Sequence, residues 1–374
     1  MKETSGFVAL NEWFRDRETV KKPYLIAGPC SAESREQLLK TAAGISDCKQ
    51  LVIFRAGVWK PRTKPDSFQG VGEVAFEWLK EIKALYGYKI AVEVAQADHV
   101  RKCVDNGIDV IWIGARTTSN PFSIQEIAKV LKNINIPVLI KNPVNPDIDA
   151  WIGAIERIYN TGNRRIAAVH RGFFPFEKTN FRNIPKWEIP IELKIKIPDI
   201  PIVCDPSHIA GKTEFIQEIA QKALDLNMDG LMIETHYNPD VAKSDAKQQL
   251  TPQELKTLIN SLIVRQKIGY NVEFASLLEK YRDQIDSIDA QIIELLSKRM
   301  QIVEEIANYK YHHNVTILDI KRWEEIINTR TQHATQSGLS HDFIKAVLQL
   351  IHKSSIQKQT EIMKKLKNGN NSKS

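Results

Sequence analysis

The sequence has few cysteines, no long apolar run and no basic stretch interleaved with aromatic residues, and each shortage excludes a class of protein. Four cysteines (Cys30, Cys48, Cys103 and Cys204) in 374 residues are too few for a disulfide scaffold. They point to a reducing, cytoplasmic setting, where a special cysteine serves as ligand or nucleophile. Apolar runs are short, as at Leu231-Met232-Ile233. A membrane span needs about 20 apolar residues, so no membrane partner is expected. The opening stretch MKETSGFVALNEWF lacks the apolar core of a signal peptide. The net charge of +7 includes four lysines and no acid in the final KKLKNGNNSKS, so residues 366–374 are expected to form a disordered basic tail. No nucleic-acid motif accompanies the remaining mild excess, and small anionic substrates account for it.

The chain does contain a 43% hydrophobic complement, enough for a sizeable core, and a length that suggests a large domain plus a small one. Eight short β-branched or apolar runs alternate with helical patterns: Tyr24–Ser31, Leu51–Trp59, Ile90–Gln96, Val110–Arg116, Pro137–Pro143, Ile166–Phe173, Pro201–His208 and Gly230–Tyr237. Between them, Gly72–Tyr86, Ile124–Lys132, Ile148–Tyr159, Glu214–Leu226 and Gln253–Ile263 show helical apolar spacing, with Ser123, Asp147 and Thr251-Pro252 as cap signals. Continuous apolar strands alternating with helices define an α/β fold with a parallel sheet. Eight units over residues 1–265 predict a (β/α)8 TIM barrel. An open doubly wound sheet is the rival.

Every run ends in chemistry: GPCS, FRAGVWKPRT, VEVAQ, IGAR, IKNP, VHRG, CDPSH and IETH. In a barrel these ends meet at one face, where active sites lie. Cys30, His208, Glu234 and Asp245 would converge there as a mixed S/N/O set. Such a set suits one divalent ion of the Mn2+, Fe2+, Co2+ or Zn2+ kind better than Mg2+ or Ca2+. Taken singly, Cys30 reads equally well as a small core residue and Asp245 as a solvated loop charge. Six cations, Arg55, Lys60, Arg62, Arg116, Lys141 and Arg171, stand at or beside the same ends. One alone would be an ion pair; six imply two or more bound anionic groups, phosphate above all.

After Arg265 the strand signals stop. Residues 266–273 (QKIGYNVE) read as a linker, and 274–365 as a small all-α domain. Its first helix pattern, Ser276–Lys310, carries Ile285, Ile288, Ile292, Leu295, Leu296, Ile302 and Ile306 on one stripe, and Lys321–Thr331 and His341–Met363 follow. So long an apolar stripe predicts a homodimer through this domain. Arg282, Asp289, Arg299 and Lys310 lie 7, 10 and 11 residues apart, near whole helical turns.

GPCS (28–31), KPRT (60–63), GAR (114–116), DPSH (205–208), IETH (233–236) and SDAKQQL (244–250) resemble the 3-deoxy-D-arabino-heptulosonate 7-phosphate (DAHP) synthase family, closest to its shorter bacterial branch. The resemblance implies condensation of phosphoenolpyruvate with erythrose 4-phosphate, and metal ligation by Cys30, His208, Glu234 and Asp245. It assigns phosphoenolpyruvate to Arg55, Lys60, Arg116, Lys141 and Arg171, and erythrose 4-phosphate to Lys60-Pro61-Arg62-Thr63. Lys141 or Glu93 would handle the proton of the attacking water. A cousin family using a five-carbon sugar differs where KPRT stands.

The helical segment is similar, without gaps from Arg282 to Gln359, to the all-helical chorismate mutases. That resemblance implies chorismate-to-prephenate rearrangement, with Arg282 (from a partner chain), Arg299, Lys310, Asp319, Arg322, Ser355 and Gln359 binding chorismate. Lys310 and Gln359 would stabilise the ether oxygen. Trp323 departs from the pattern, standing where family members have a glutamate that meets the substrate hydroxyl. The chain is therefore expected to be bifunctional, with a catalytically weak helical module for sensing and dimerisation as the alternative. About 22 residues precede the first strand, too few for a regulatory domain. Feedback inhibition of the synthase by prephenate or chorismate is accordingly expected through the helical domain.

Overall fold

The structure is a computed structural model that describes residues 6–14, 22–60, 68–176, 179–265 and 272–371, with side chains from 277 to 368 in the last stretch. Pro61, Arg62 and Thr63 lie outside the described residues, as does most of the stretch read as a linker. The chain divides into two compact units, Met1–Lys267 and Ile268–Ser374.

In the first unit eight strands, β1 (Tyr24–Gly28), β2 (Leu51–Ala56), β3 (Lys89–Val94), β4 (Val110–Ile113), β5 (Val138–Lys141), β6 (Ile166–His170), β7 (Ile202–Cys204) and β8 (Gly230–Glu234), run parallel in sequence order. The ring closes where Tyr24 through Gly28 pair with Gly230 through Glu234, which excludes the open sheet. The surrounding helices are α1 (Arg35–Gly44), α2 (Ala75–Tyr86), α3 (Ala97–Asp105), α4 (Ala115–Thr118), α5 (Pro121–Leu131), α6 (Ile148–Tyr159), α7 (Glu188–Lys196), α8 (Pro206–Ala210), α9 (Ile216–Asp225) and α10 (Pro252–Ser261). Capping follows composition. Asp147 accepts from Ala150 N, and Thr251 with Glu254 forms a full capping box around Pro252. The expectation for Ser123 is corrected: Asn120 caps α5, accepting from Phe122 N and Ser123 N, because Pro121 suits the first helical position.

Side chains alternate across each strand, which divides the core in two. One layer, with Leu25, Phe54, Ile111 and Trp151, fills the space between sheet and helices. The other fills the barrel: Ile26, Ile53, Ala91, Trp112, Leu139, Val169, Val203 and Met232. The N-terminal segment closes the barrel's lower end, with Leu10 and Trp13 joining the inner cluster. Val8 N donates to Arg164 O, and Arg165 Nη1 donates to Trp13 O, so the plug is tied down.

Two residues beyond each inner core position stands an inward-facing site residue: Arg55 after Ile53, Glu93 after Ala91, Gly114 after Trp112, Lys141 after Leu139, Arg171 after Val169, Asp205 after Val203 and Glu234 after Met232. Gly28 continues β1 in the same register at φ +144°, where a Cβ would lie 2.2 Å from Arg55 O, so glycine is required there.

The second unit has three helices, α11 (Val272–His312), α12 (Ile320–Gln336) and α13 (His341–Asn371), with α13 packed on both others. All three outrun the sequence patterns. α13 continues through Lys364, Lys365, Leu366 and Lys367, good helix formers that extend an existing helix at little cost. α11 is 41 residues long, about 60 Å. Its Ile285, Ile288, Ile292, Leu295, Ile302 and Ile306 are 42–64% exposed.

Candidate active sites

At the C-terminal mouth of the barrel lies a cavity of about 450 Å³, a size suited to small molecules. Arg55, Lys60, Arg116, Lys141, Arg171 and Arg182 bring their cations to its wall, with Glu93, His208 and Asp245. Arg55 is fully buried, stacks over Trp112 at 4.8 Å and donates from one Nη to Glu234 Oε1 at 3.0 Å. Its Nε and other Nη have no partner among the described residues. Buried unpaired donors are costly, so these are poised for an anion. Burial pushes Arg171 down to about 10, and the neighbouring Arg182 and Arg116 add to the effect. Burial also depresses Lys60, but Cys30, Glu93 and Glu234 outweigh it and leave that ammonium raised.

Glu93 lies 3.5 Å from Lys60 Nζ. A Cβ on Gly114 would come within 2.2 Å of its Oε1, which explains a glycine before Ala115-Arg116. Lys141 Nζ donates to Asp205 Oδ2 at 2.7 Å inside the protein. Its pKa is lowered by burial, against the pull of Asp205.

Cys30, Glu234 and Asp245 bring ligand atoms within 4.8 Å of one another, a cluster able to hold a metal ion. Cys30 lies two residues past β1. Burial pushes its thiol up to about 12, and it donates to Asp245 Oδ2 at 3.3 Å. Glu234 ends β8, and the charges of Arg55 and Lys60 lower its pKa against the effect of burial. His208 stands on α8, not on a strand. Burial keeps its ring neutral, and Nδ1 faces Asp205 at 2.8 Å, which turns Nε2 toward Glu234 Oε1 at 3.7 Å. A neutral imidazole oriented by a carboxylate is the usual state of a metal ligand. The donors S, N, O and O fit a borderline divalent ion.

Sequence reasoning missed three residues here. Asp205 is fully buried and serves both Lys141 and His208 while capping α8. Arg182 pairs with Asp245 at 3.0 Å and donates to Gln248 Oε1, and Gln248 donates to Glu234 Oε2 at 2.7 Å. Asp205 and Gln248 sat inside quoted motifs; Arg182 lies in the loop after β6, away from any strand end.

In the helical unit, Arg299 Nη1 donates to Ser355 Oγ at 2.6 Å, joining α11 to α13. Gln359 is buried one turn beyond Ser355, and its Oε1 has no partner among the described residues. Lys310 Nζ donates to Ile317 O at 2.6 Å. Asp319 caps α12, accepting from Arg322 N at 3.0 Å, and Arg322 pairs with Glu325 at 2.6 Å. Arg282 is exposed on α11, 3.8 Å from Glu279. Arg299 and Gln359 thus each meet Ser355, and Arg322 meets Asp319 through its backbone, while Arg282 and Lys310 touch none of these among the described residues. Trp323 lies flat on His352, a residue the sequence reading passed over.

A closed parallel barrel whose mouth joins a metal-ligand cluster to six cations defines an enzyme of small, multiply anionic substrates. The chain belongs to the DAHP synthetase I family, whose model matches residues 19–268, and its second unit matches chorismate mutase type II over residues 281–360. It is a bifunctional shikimate-pathway enzyme with a DAHP synthase and a chorismate mutase domain. It is 35% identical over 238 residues to the phospho-2-dehydro-3-deoxyheptonate aldolase of Thermotoga maritima, covering 64% of this chain and 68% of that protein. The 2-dehydro-3-deoxyphosphooctonate aldolase of Wolinella succinogenes is 27% identical over 265 residues, covering 65% and 99%. The crystal structure of the Thermotoga maritima aldolase, a DAHP synthase, superposes with a TM-score of 0.57 at 34% identity, over 63% of this chain and 67% of that one. No helix among the described residues is long and apolar enough to cross a membrane.

Proposed function

We propose that the barrel mouth condenses phosphoenolpyruvate with erythrose 4-phosphate while the helical unit, as a homodimer, rearranges chorismate to prephenate. The carrying observation is the convergence of six cations with the Cys30–Glu234–Asp245 cluster around one cavity. Arg55, Lys60, Arg116, Lys141 and Arg171 bind the phosphate and carboxylate of phosphoenolpyruvate, using the unpaired donors of Arg55. Lys60-Pro61-Arg62-Thr63 hold erythrose 4-phosphate. Cys30, His208, Glu234 and Asp245 hold one divalent ion (Mn2+, Fe2+, Co2+ or Zn2+), which when bound supplies Lewis acidity to the aldehyde oxygen. The cationic wall brings two mutually repelling anions together and aligns carbon 3 of phosphoenolpyruvate with the aldehyde carbon. Water then adds at carbon 2 and phosphate leaves, with Lys141 or Glu93 carrying the water's proton.

In the helical unit, Arg299 and Arg322, with Arg282 from a partner chain, bind the two carboxylates. Lys310 and Gln359 stabilise charge growing on the ether oxygen as its C–O bond breaks and the new C–C bond forms within the substrate; no enzyme nucleophile is needed. The exposed apolar stripe of α11 supports the dimer. A cytoplasmic setting accords with four free cysteines. Prephenate or chorismate bound to the helical unit inhibits the synthase, with a coupling of about 1–3 kcal/mol that is reciprocal for binding. Trp323 favours a second reading in which the mutase is weak and the helical unit chiefly senses ligand and dimerises.

The test follows loss of phosphoenolpyruvate and of chorismate by the full chain, with and without chelator and with added prephenate. Chelation is expected to stop the first reaction and spare the second, and prephenate to slow the first. Equal loss of both activities under chelator contradicts the division of labour.

A further inference from the structure

The residues assigned to chorismate leave one arrangement unexplained. Trp323, next to Arg322, and His352 on α13 stack with ring centroids 3.9 Å apart and planes 13° from parallel. His352 precedes Ser355 by three residues and Gln359 by seven, so the three share one helix face. Ser355 accepts from Arg299, which places the imidazole beside the groups that bind the substrate. Burial, and after it the charge of Arg299, holds His352 below its ordinary value, so the ring is neutral at pH 7 and keeps one N–H and one lone pair. No hydrogen bond to either ring nitrogen is found among the described residues.

The cations of this site can only donate. They satisfy carboxylates and an ether oxygen, but a substrate hydroxyl also has a proton to give, and that needs an acceptor. Ser355 Oγ is engaged, since it takes the Arg299 proton and gives its own to Ile351 O at 2.7 Å. Asp319 Oδ1 holds the α12 cap, and its carboxylate would set a further negative charge beside a dianion. The neutral acceptors left are His352 and Gln359 Oε1, and the Gln359 amide is committed to the ether oxygen. Stacking fixes the plane of the imidazole, so it presents a nitrogen edge in a set direction. A neutral acceptor also adds no negative charge beside a dianion.

We propose that His352, held flat by Trp323, accepts the hydrogen bond of chorismate's ring hydroxyl and sets the enzyme's preference for the hydroxylated substrate. This rests on the assignment of Arg299 and Ser355 to the mutase site.

The experiment compares kcat/KM of the full chain for chorismate and for the analogue with hydrogen in place of that hydroxyl. The ratio does not depend on the fraction of folded enzyme. Wild type is expected to favour chorismate about three- to tenfold, the size of one neutral hydrogen bond. His352→Leu brings the ratio close to one, and His352→Gln, which keeps an acceptor, retains most of it. Arg299→Ala is expected to lose activity toward both substrates. If Arg299→Ala keeps full activity, the site assignment itself is wrong. If it is inactive but His352→Leu keeps the wild-type ratio, the hydroxyl belongs to Gln359 or Asp319 and the inference is overturned. A wild type with no preference overturns it as well.

Discussion

Asp205→Asn isolates one charge at the centre of the synthase site. Asparagine ranks with aspartate as a helix cap, so the bond from His208 N at 3.1 Å survives and α8 keeps its start. What disappears is the negative charge facing Lys141 Nζ at 2.7 Å and His208 Nδ1 at 2.8 Å. Removing one partner of a buried ion pair costs about 3–5 kcal/mol, because the other charge is left without compensation. Lys141 relieves part of this by releasing its proton, which burial already favours. For a domain of this size 1 kcal/mol shifts Tm by roughly 2–4 °C, so the barrel should melt about 10 °C lower. His208 also loses the partner that aims Nε2, which weakens metal binding by about 10- to 100-fold. Thermal melts, with equilibrium dialysis against the divalent ion, measure both effects. Mutase activity in the same samples stays at the wild-type level. A variant that melts within about 2 °C of wild type and binds metal unchanged refutes the account of Asp205 as the shared anchor.

Lys310→Ala should lower mutase kcat by about 10²-fold or more, the scale for one oxyanion-type donor, with synthase activity unchanged; a loss below tenfold in a folded variant removes Lys310 from that role. His170 is fully buried against Phe173 and Trp187, and burial pushes it down to about 3. Above about pH 6.5 it is neutral folded or unfolded; between 6.5 and 3 only the unfolded chain takes up the proton. Stability should therefore fall on acidification by about 1.4 kcal/mol per pH unit from this site. Denaturant titrations from pH 7 to 4.5 should show a shallower acid limb for His170→Leu, and parallel limbs would exclude the assignment.

Much of the barrel is legible because strand parity and chemistry agree. Arg55, Glu93, Lys141 and Glu234 stand out as charges in apolar runs, and the structure gives each an inward position one step beyond the inner core. What escaped is what spacing does not encode. Arg182 reaches Asp245 across 63 residues of sequence, and only the closed barrel brings them together. Asn120 rather than Ser123 caps α5, because Pro121 restricts where a helix can begin. His352 carries no signal of its own on a long helix; what sets it apart is the Trp323 ring lying flat against it, which spacing alone does not encode.

The plug formed by Leu10 and Trp13, with a barrel interior filled by side chains, leaves the synthase chamber a blind alley. Among the described residues, traffic in both directions has one doorway. Whatever lies deepest, against Arg55 and Glu234, has to arrive before the reactant that sits above it, and a deep product waits until the outer one has gone. Order of addition and release is thus expected to follow depth in the chamber. Lingering phosphate or sugar acid then obstructs the next turnover by standing in the passage, without any change of shape in the protein.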